Sequence, residues 1–323
     1  MSDKSRIEWT DATWNPIRGT KGRWSCVKVS PGCLNCYAET MNVRLGGPLY
    51  LPGADELHLE RTLLKAPLTW RRPRRVFVCS MTDLFEDRVP TDWIDSVFAV
   101  MALARQHTFQ VLTKRPQRMR DYLLGFRFGE INEAARAASG RDDVAVLPTQ
   151  AHGMVETRWP LPNVWLGVSV ENQKYADRRV LPLLQTPAAV RFVSAEPLLG
   201  PIEGIPMRRW CTGHGLSEGC CRGLDWVIVG GESGPGERPC DLDWIRDIRD
   251  QCRASGVAVF VKQLGASPFE DLSPPGPARI ARRYGVGPLV AKCYKLRDRK
   301  GGDPAEWPED LRVREWPTLS STH

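Results

Sequence analysis

The fold is decided by the stretch Thr108-Phe-Gln-Val-Leu-Thr113-Lys114-Arg115-Pro116. Its first part is largely apolar, which is typical of a short buried strand, and a helical segment follows Pro116. The two basic residues lie at the junction between strand and helix. The stretch therefore predicts one βα unit, with Lys114 and Arg115 at the carboxyl end of its strand.

The same unit recurs along the chain. Short apolar runs occupy residues 75–79, 108–113, 164–169, 190–194, 225–229 and 257–261. Apolar runs of about five residues that alternate with amphipathic helices indicate a parallel sheet. With one more strand expected near the N-terminus, we predict an α/β fold: a single (β/α) barrel of the TIM type, complete or partial, with six to eight strands. No G-x-G-x-x-G follows the first strand, which disfavours a dinucleotide-binding sheet.

The domain organisation follows from where this pattern stops. We predict that residues 1–265 form the barrel and carry the N-terminal cysteine loop, with insertions at about 126–160 and 203–224. Residues 266–323 are rich in Pro, Gly and Arg and contain few periodic apolar residues. We predict that they form an irregular basic extension packed on the barrel.

Composition limits the class of protein. The chain has 323 residues, of which 42% are apolar, enough for a substantial core. It contains no apolar run of membrane-spanning length and no signal peptide, so we expect a soluble, cytoplasmic protein without a membrane partner. In that reducing compartment the ten cysteines are expected to be metal ligands or core residues. The net charge of +7 is compatible with a polyanionic partner.

The cysteine loop is the strongest chemical signal. It reads Trp24-Ser-Cys26-Val-Lys-Val-Ser-Pro-Gly-Cys33-Leu-Asn-Cys36, with the spacing C-x6-C-x2-C. Three thiolates from one short loop suit an Fe–S cluster, or zinc with a fourth ligand from elsewhere, for which Cys79 is a candidate. A second group has the residue types of a zinc site but irregular spacing, and is the candidate for an extra structural zinc: Cys211, His214, Cys220 and Cys221.

Polar residues follow every predicted strand. In parallel α/β barrels the active site lies at the carboxyl ends of the strands, where we expect the cysteine loop as well. Taken singly, each of these residues has the alternative role of a helix cap or loop residue. Gly230 and Gly231 would let the backbone approach a ligand or would form a tight turn. The candidate site residues are Ser80, Asp83, Lys114, Arg115, Ser169, Glu171, Glu196, Gly230, Gly231, Glu232 and Lys262.

Several motifs together resemble one known family. They are Glu8 to Pro16, Val29 to Glu39, Ser80 to Phe85, Ser194 to Leu199 and Gly230 to Pro235. They resemble the phage gene-product-thirty-seven/sixty-eight family, a domain of unknown function found in phages and bacteria. The likeness runs from about residue 6 to residue 265 and implies no activity.

A broader likeness is to the radical S-adenosylmethionine enzymes. These have a partial or full (β/α) barrel and a three-cysteine loop after the first strand, and their [4Fe-4S] cluster leaves one iron open to bind S-adenosylmethionine. Their usual spacing is C-x3-C-x2-C, so only Cys33 and Cys36 match directly. Their glycine-glycine-glutamate motif follows the second strand, whereas Gly230-Gly231-Glu232 comes much later, so position alone does not assign Glu232 the amine-binding role.

The resemblance implies an enzyme with a [4Fe-4S] cluster on Cys26, Cys33 and Cys36, S-adenosylmethionine as cofactor, and an electron donor as partner. The basic charge balance and the phage-type resemblance lead us to expect a nucleic-acid base, a nucleotide or a nucleoside as substrate. Two alternatives stay open: a zinc-stabilised nucleic-acid-binding protein, and an Fe–S enzyme that uses its open iron as a Lewis acid. From their positions at strand ends, we expect catalytic roles for Glu232, Glu196, Asp83 and Lys262, cofactor binding for Ser80, Ser169, Glu171, Gly230 and Gly231, and phosphate or substrate binding for Lys114 and Arg115.

Overall fold

The structure is a computed structural model that describes residues 5–53, 55–147, 159–207, 223–272 and 290–318. Its strands are β1 (Ala12–Trp14), β2 (Ile17–Arg18), β3 (His58–Leu59), β4 (Arg75–Val78), β5 (Thr108–Thr113), β6 (Val164–Ser169), β7 (Val190–Ala195), β8 (Trp226–Gly230), β9 (Cys240–Asp241), β10 (Ala258–Gln263), β11 (Pro268–Asp271) and β12 (Ala291–Cys293). Its α-helices are α1 (Tyr37–Arg44), α2 (Arg61–Leu64), α3 (Thr91–Leu103), α4 (Pro116–Leu124), α5 (Phe128–Ser139), α6 (Gln173–Leu184) and α7 (Leu242–Ser255).

The main sheet has seven strands in the order β1-β4-β5-β6-β7-β8-β10. The strand pairs whose register is described in this sheet are all parallel. The predicted α/β fold with a parallel sheet is therefore confirmed. Because the order runs from β1 to β10 with no pairing that closes it among the described strands, the complete form of the predicted barrel is not confirmed.

The chain forms two compact units, each built from distant parts of the sequence. The first contains residues 1–29, 36–168 and 185–190, and the second contains residues 30–35, 169–184 and 191–323. The second unit thus includes residues on both sides of the boundary predicted at residue 265. Among the described residues, no helix is long and apolar enough to cross a membrane.

The first unit is organised around β1, β4 and β5, with α3 packed against α5. One face of α3 is apolar and buried, with Ile94, Val97 and Phe98 at most 1% exposed. The buried carboxylate of Asp95 accepts hydrogen bonds from Tyr122 at 2.9 Å and from Arg127 at 2.8 Å. The predicted insertion at 126–160 therefore begins with a packed helix, α5, while its residues 148–158 lie outside the described part.

The second unit is organised around β7, β8 and β10. The N-terminus of α7 is capped by Asp241, whose carboxylate accepts from the Asp243 N–H at 3.0 Å. The chain near its C-terminus packs on this sheet: Trp316 stacks on Trp226 with ring centroids 4.9 Å apart. Of the predicted insertion at 203–224, residues 208–222 lie outside the described part.

The extension predicted as irregular contains regular structure. Strands β11 and β12 pair antiparallel, and β11 also pairs with β9, so that these strands form a three-stranded sheet. The prediction that residues 266–323 are irregular is therefore wrong for these strands. Strands of three or four residues are held by backbone hydrogen bonds and need no long apolar alternation, so the sequence pattern does not reveal them.

Candidate functional site

The segment around Cys26 is held on both sides within the first unit. The buried side chain of Asn42, on α1, accepts from the Trp24 N–H at 3.0 Å and donates to the Trp24 carbonyl at 2.9 Å. On the other side, Arg115 Nη2 donates to the Val27 carbonyl at 3.1 Å. These side chains fix the backbone on which Cys26 is carried.

Arg115 is itself held by Asp83, which follows β4. Arg115 Nη1 donates to Asp83 Oδ2 at 2.9 Å, and both side chains are about nine-tenths buried. Asp83 also accepts from Thr113 Oγ1 at 2.7 Å and from the Lys114 N–H at 3.0 Å. The structure thus brings together predicted catalytic and phosphate-binding residues, in an arrangement where Asp83 and Arg115 satisfy each other and hold the cysteine segment.

The loop after β4 also contacts α1. Tyr37 OH donates to the Ser80 carbonyl at 2.7 Å, and Tyr50 OH donates to the Met81 carbonyl at 2.7 Å. The Ser80 hydroxyl is used locally, because it lies 3.2 Å from Asn15 Nδ2. The Tyr37 bond ties the strand end at Ser80 to the helix that begins after Cys36, and the Tyr50 bond ties it to the segment that follows this helix.

Cys26 and Cys36 pack against one apolar cluster of Ala38, Tyr50 and Met81. Burial raises the pKa of the Cys26 thiol to about 12, and the nearby Asp83 carboxylate adds to the increase. Cys79 is buried with φ 54°, and burial raises its pKa to about 12. These environments favour neutral thiols unless a metal cation compensates the thiolate charge.

The apolar residues of α1 that share helical spacing do not form its buried side. Tyr37, Met41 and Leu45 are 51%, 48% and 43% exposed, whereas the buried side chains include Glu39 and Asn42. Glu39 is bound by Lys28 at 2.6 Å and by the Tyr50 N–H at 2.8 Å. Polar anchoring, rather than apolar periodicity, therefore sets the orientation of this helix.

Cys33 lies on residues 30–35, which belong to the second unit. Ser30 Oγ donates to Glu171 Oε1 at 2.6 Å. Glu171 is fully buried and pairs with the buried Arg179 at 3.1 Å. A Cβ on Gly32 would lie 2.5 Å from the same Glu171 oxygen, so only glycine allows this close approach. Glu171 is therefore where the short segment carrying Cys33 is anchored.

A second carboxylate holds the other end of this segment. Asn35 Nδ2 donates to Glu232 Oε2 at 3.0 Å and to the Gly236 carbonyl at 2.8 Å. Glu232 also accepts two hydrogen bonds from the Arg238 guanidinium, at 2.5 and 2.8 Å. Burial raises the pKa of Glu232, but the hydrogen bonds from Arg238 and Asn35 outweigh it and leave that pKa below its ordinary value.

Two other predicted residues of the second unit, Glu196 and Lys262, form an ion pair. Lys262 Nζ lies 3.0 Å from Glu196 Oε1, and Ser194 Oγ donates to Glu196 Oε2 at 3.1 Å. The Glu196 and Lys262 side chains are 13% and 20% exposed. Ser169 is buried apart from this pair, and its carbonyl accepts from Arg179 at 2.8 Å.

Gly230 and Gly231 are explained by packing. A Cβ on Gly230 would lie 3.0 Å from the Gln263 carbonyl oxygen, and one on Gly231 would overlap the Leu264 backbone. The Gly231 N–H donates to the Gln263 carbonyl at 3.1 Å. These glycines permit a close approach of their backbone to the neighbouring strand. That they bind a cofactor stays a prediction.

The residues that sequence reasoning missed are those that anchor the loop. Asn35 carries a signal in its position between Cys33 and Cys36. Arg179, Arg238 and Asn42 carry none, because their roles depend on contacts with residues from other elements.

The donor chemistry of the three cysteines fits a cluster or zinc, since Cys26, Cys33 and Cys36 are free thiols of intermediate exposure. In the part of the chain that the structure describes, no group of three or more His, Cys, Asp or Glu side chains is placed to hold a metal ion. Metal binding by the three cysteines therefore stays a prediction. The second candidate zinc group, Cys211, His214, Cys220 and Cys221, lies outside the described residues.

These features define an α/β protein whose cysteine loop is anchored by side chains that follow parallel strands. The chain belongs to the family DUF5131, described as a protein of unknown function, whose sequence profile matches residues 4–297. No curated protein and no solved structure matches the chain.

Proposed function

We propose that the protein is an iron–sulfur enzyme of the radical S-adenosylmethionine type that acts on a nucleic-acid base, nucleotide or nucleoside. The observation that carries this proposal is the anchoring of the cysteine loop. Val27 is bound by Arg115 at 3.1 Å, Ser30 by Glu171 at 2.6 Å and Asn35 by Glu232 at 3.0 Å. A loop built only to close a turn does not need three buried or half-buried charged partners, whereas a cofactor site needs its ligands fixed.

In this proposal Cys26, Cys33 and Cys36 hold a [4Fe-4S] cluster. When bound, the cluster would supply an open iron for S-adenosylmethionine and the electron, received from a donor, for its reductive cleavage. Asp83, Arg115, Glu171 and Glu232 act as positioning residues, because each holds backbone or side chains of the cysteine loop. This role differs from the catalytic and cofactor-binding roles expected from the sequence.

Glu196 and Lys262 are the residues that we propose for contact with cofactor or substrate. They form a partly exposed ion pair at strand ends, and neither is committed to the cysteine loop by a described bond. A carboxylate and an ammonium group at 3.0 Å can hold the amine and carboxylate of an amino-acid moiety, each by exchanging one partner. The net charge of +7 is compatible with a polyanionic substrate and, together with the phage-type resemblance, is the basis for proposing a nucleic-acid-related one.

The cluster is tested by anaerobic purification and metal analysis. We expect a brown protein with about four irons per chain, as for a [4Fe-4S] centre. Cys33→Ala should lose the colour and the iron. Cys293→Ala, which removes an exposed cysteine from β12, should keep both. A colourless chain with stoichiometric zinc would overturn the proposal in favour of the zinc-stabilised nucleic-acid-binding protein.

A further inference from the structure

The second unit contains a cavity of about 1140 Å³ that the sequence analysis did not anticipate. Three of its lining residues lie beyond the ends of strands in the main sheet: Asn172 comes after β6, Gly200 after β7 and Ser267 after β10. The rest comes from the three-stranded sheet and the first turn of α7. This is the strand end at which parallel α/β proteins bind ligands, and the volume is ample for a small molecule.

The walls of the cavity carry three aromatic side chains, Trp244, Phe269 and Tyr294. The rings of Trp244 and Phe269 meet edge to face with centroids 6.4 Å apart. Tyr294 OH donates to Glu270 at 2.6 Å, which fixes the ring of Tyr294 on the cavity wall. Aromatic side chains held in place in this way form a stacking surface for a planar group.

The acidic residues that line the cavity are buried, and the basic ones are exposed. Asp241 and Asp271 are each only 4% exposed, and the Asp241 carboxylate is used to cap α7. Lys174 and Lys295 also line the cavity and are exposed. The positive charge is therefore at the solvent side, where an anionic group of a ligand can reach it without losing all its water.

We infer that this cavity binds a nucleoside phosphate, with its base against Trp244, Phe269 and Tyr294 and its phosphate at Lys174 and Lys295. A simple phosphate would leave the aromatic walls unused, and an uncharged aromatic molecule would leave the lysines unused. The inference deepens the proposed function, on which it rests only for the statement that the bound nucleotide is the substrate. Binding itself requires no cluster.

Isothermal titration calorimetry with adenosine and cytidine 5′-monophosphates tests this inference, with adenosine and cytidine as the matched probes without phosphate. The full chain should bind at least one nucleotide, and the matching nucleoside about tenfold more weakly. Trp244→Ala should weaken binding by about tenfold or more, as loss of one stacking partner does. Trp244→Phe, which keeps a ring, should retain most of the affinity.

Lysine variants distinguish binding of the phosphate group from a general effect of positive surface charge. Lys295→Ala should weaken nucleotide binding and reduce the difference between nucleotide and nucleoside. Lys300→Ala removes an exposed lysine outside the cavity lining and should change neither. If folded wild-type chain binds none of the nucleotides at about 1 mM, or if Trp244→Ala and Lys295→Ala bind as well as wild type, the inference is wrong.

Cys293 provides a second readout, because it is an exposed free cysteine that lines the cavity. Bound nucleotide should slow the alkylation of Cys293 by iodoacetamide, measured by peptide mass spectrometry, and should not do so in Trp244→Ala.

Cys33→Ala should bind nucleotide as wild type does. Nucleotide binding by a wild-type chain that takes up no iron would overturn the proposed function and keep this inference, whereas a loaded cluster without nucleotide binding would overturn this inference alone.

Discussion

Ser30 Oγ donates a 2.6 Å hydrogen bond to Glu171 Oε1, and the Glu171 side chain is completely buried. Burying a carboxylate is costly unless it is paired and hydrogen-bonded, and Glu171 meets that condition through Arg179 as well as Ser30. The cysteine loop is thus attached to a buried ion pair that folding has to complete. This attachment explains how a segment of six residues, 30–35, can be held firmly.

Breaking this ion pair should be strongly destabilising. Glu171→Gln leaves Arg179 buried without its charge partner, so we expect the free energy of unfolding in urea to fall by about 3–5 kcal/mol. Ser30→Ala removes only the hydrogen bond to the loop and should cost about 1–2 kcal/mol while lowering iron retention. Asp177→Asn, which changes an exposed carboxylate on the helix that carries Arg179, is the control. Equal stability of Glu171→Gln and Asp177→Asn would contradict the assignment.

The close approach at Gly32 gives a second prediction. A methyl group there would meet Glu171 Oε1 at 2.5 Å, so Gly32→Ala should destabilise by about 1–3 kcal/mol and displace the loop. Gly129→Ala is the matched control, because Gly129 lies in α5 with no atom near the added Cβ. It should be neutral or stabilise by about 0.5–1 kcal/mol. Thermal and urea unfolding measure both changes, and a neutral Gly32→Ala would refute the predicted clash.

Arg115 makes two contacts, an ion pair with Asp83 and a hydrogen bond to the Val27 carbonyl, and two substitutions separate their effects. Arg115→Lys keeps a charge for Asp83 but cannot also donate to the Val27 carbonyl in the same geometry. It should keep most of the stability yet release iron faster to a chelator. Arg115→Ala leaves Asp83 unpaired and should cost about 3 kcal/mol or more.

The control for Arg115 is Arg141→Ala, which removes an exposed ion pair with Asp143. It should change the free energy of unfolding by less than about 1 kcal/mol and leave iron retention unchanged. Iron release from Arg115→Lys at the wild-type rate would show that the bond to Val27 does not position the cysteine segment.

The stability of the chain should depend on pH through Glu232. Although burial opposes it, bonding to Arg238 and Asn35 lowers the folded-state pKa below the ordinary value of 4.5. A carboxyl group whose pKa falls on folding contributes stability above its unfolded pKa and loses it as pH drops through the folded pKa. Glu232→Gln should therefore destabilise the chain by about 1–3 kcal/mol at about pH 7. The difference from wild type should shrink below about pH 4.5, and urea titrations over that range measure it. A difference that grows on acidification would contradict this sign.

The sequence predicted the sheet well because buried parallel strands are continuous apolar runs. β5 and β6 were predicted at their observed bounds, and β4, β7, β8 and β10 within two residues. The three-stranded sheet was missed because its strands have two to four residues. That omission also hid the cavity, whose aromatic walls come from α7 and from residues far apart in the chain.

The site was predicted in part. The strand-end rule found Asp83, Glu171 and Glu232, yet their contacts could not be read from the sequence, since Asn35 and Glu232 are 197 residues apart. The orientation of α1 does not follow from apolar spacing, because Tyr37, Met41 and Leu45 have helical spacing while Glu39 and Asn42 carry the contacts that orient the helix. Apolar periodicity shows that a helix has an apolar stripe. Which side of the helix is buried depends on the residues that it contacts.

Formation of 5′-deoxyadenosine is the decisive measurement for radical S-adenosylmethionine chemistry. Anaerobically purified, iron-loaded chain is reduced with dithionite in the presence of S-adenosylmethionine, and the product is quantified by chromatography. We expect 5′-deoxyadenosine in proportion to cluster content, none from Cys33→Ala, and wild-type amounts from Cys293→Ala. An iron-loaded wild-type chain that forms no 5′-deoxyadenosine would contradict that chemistry.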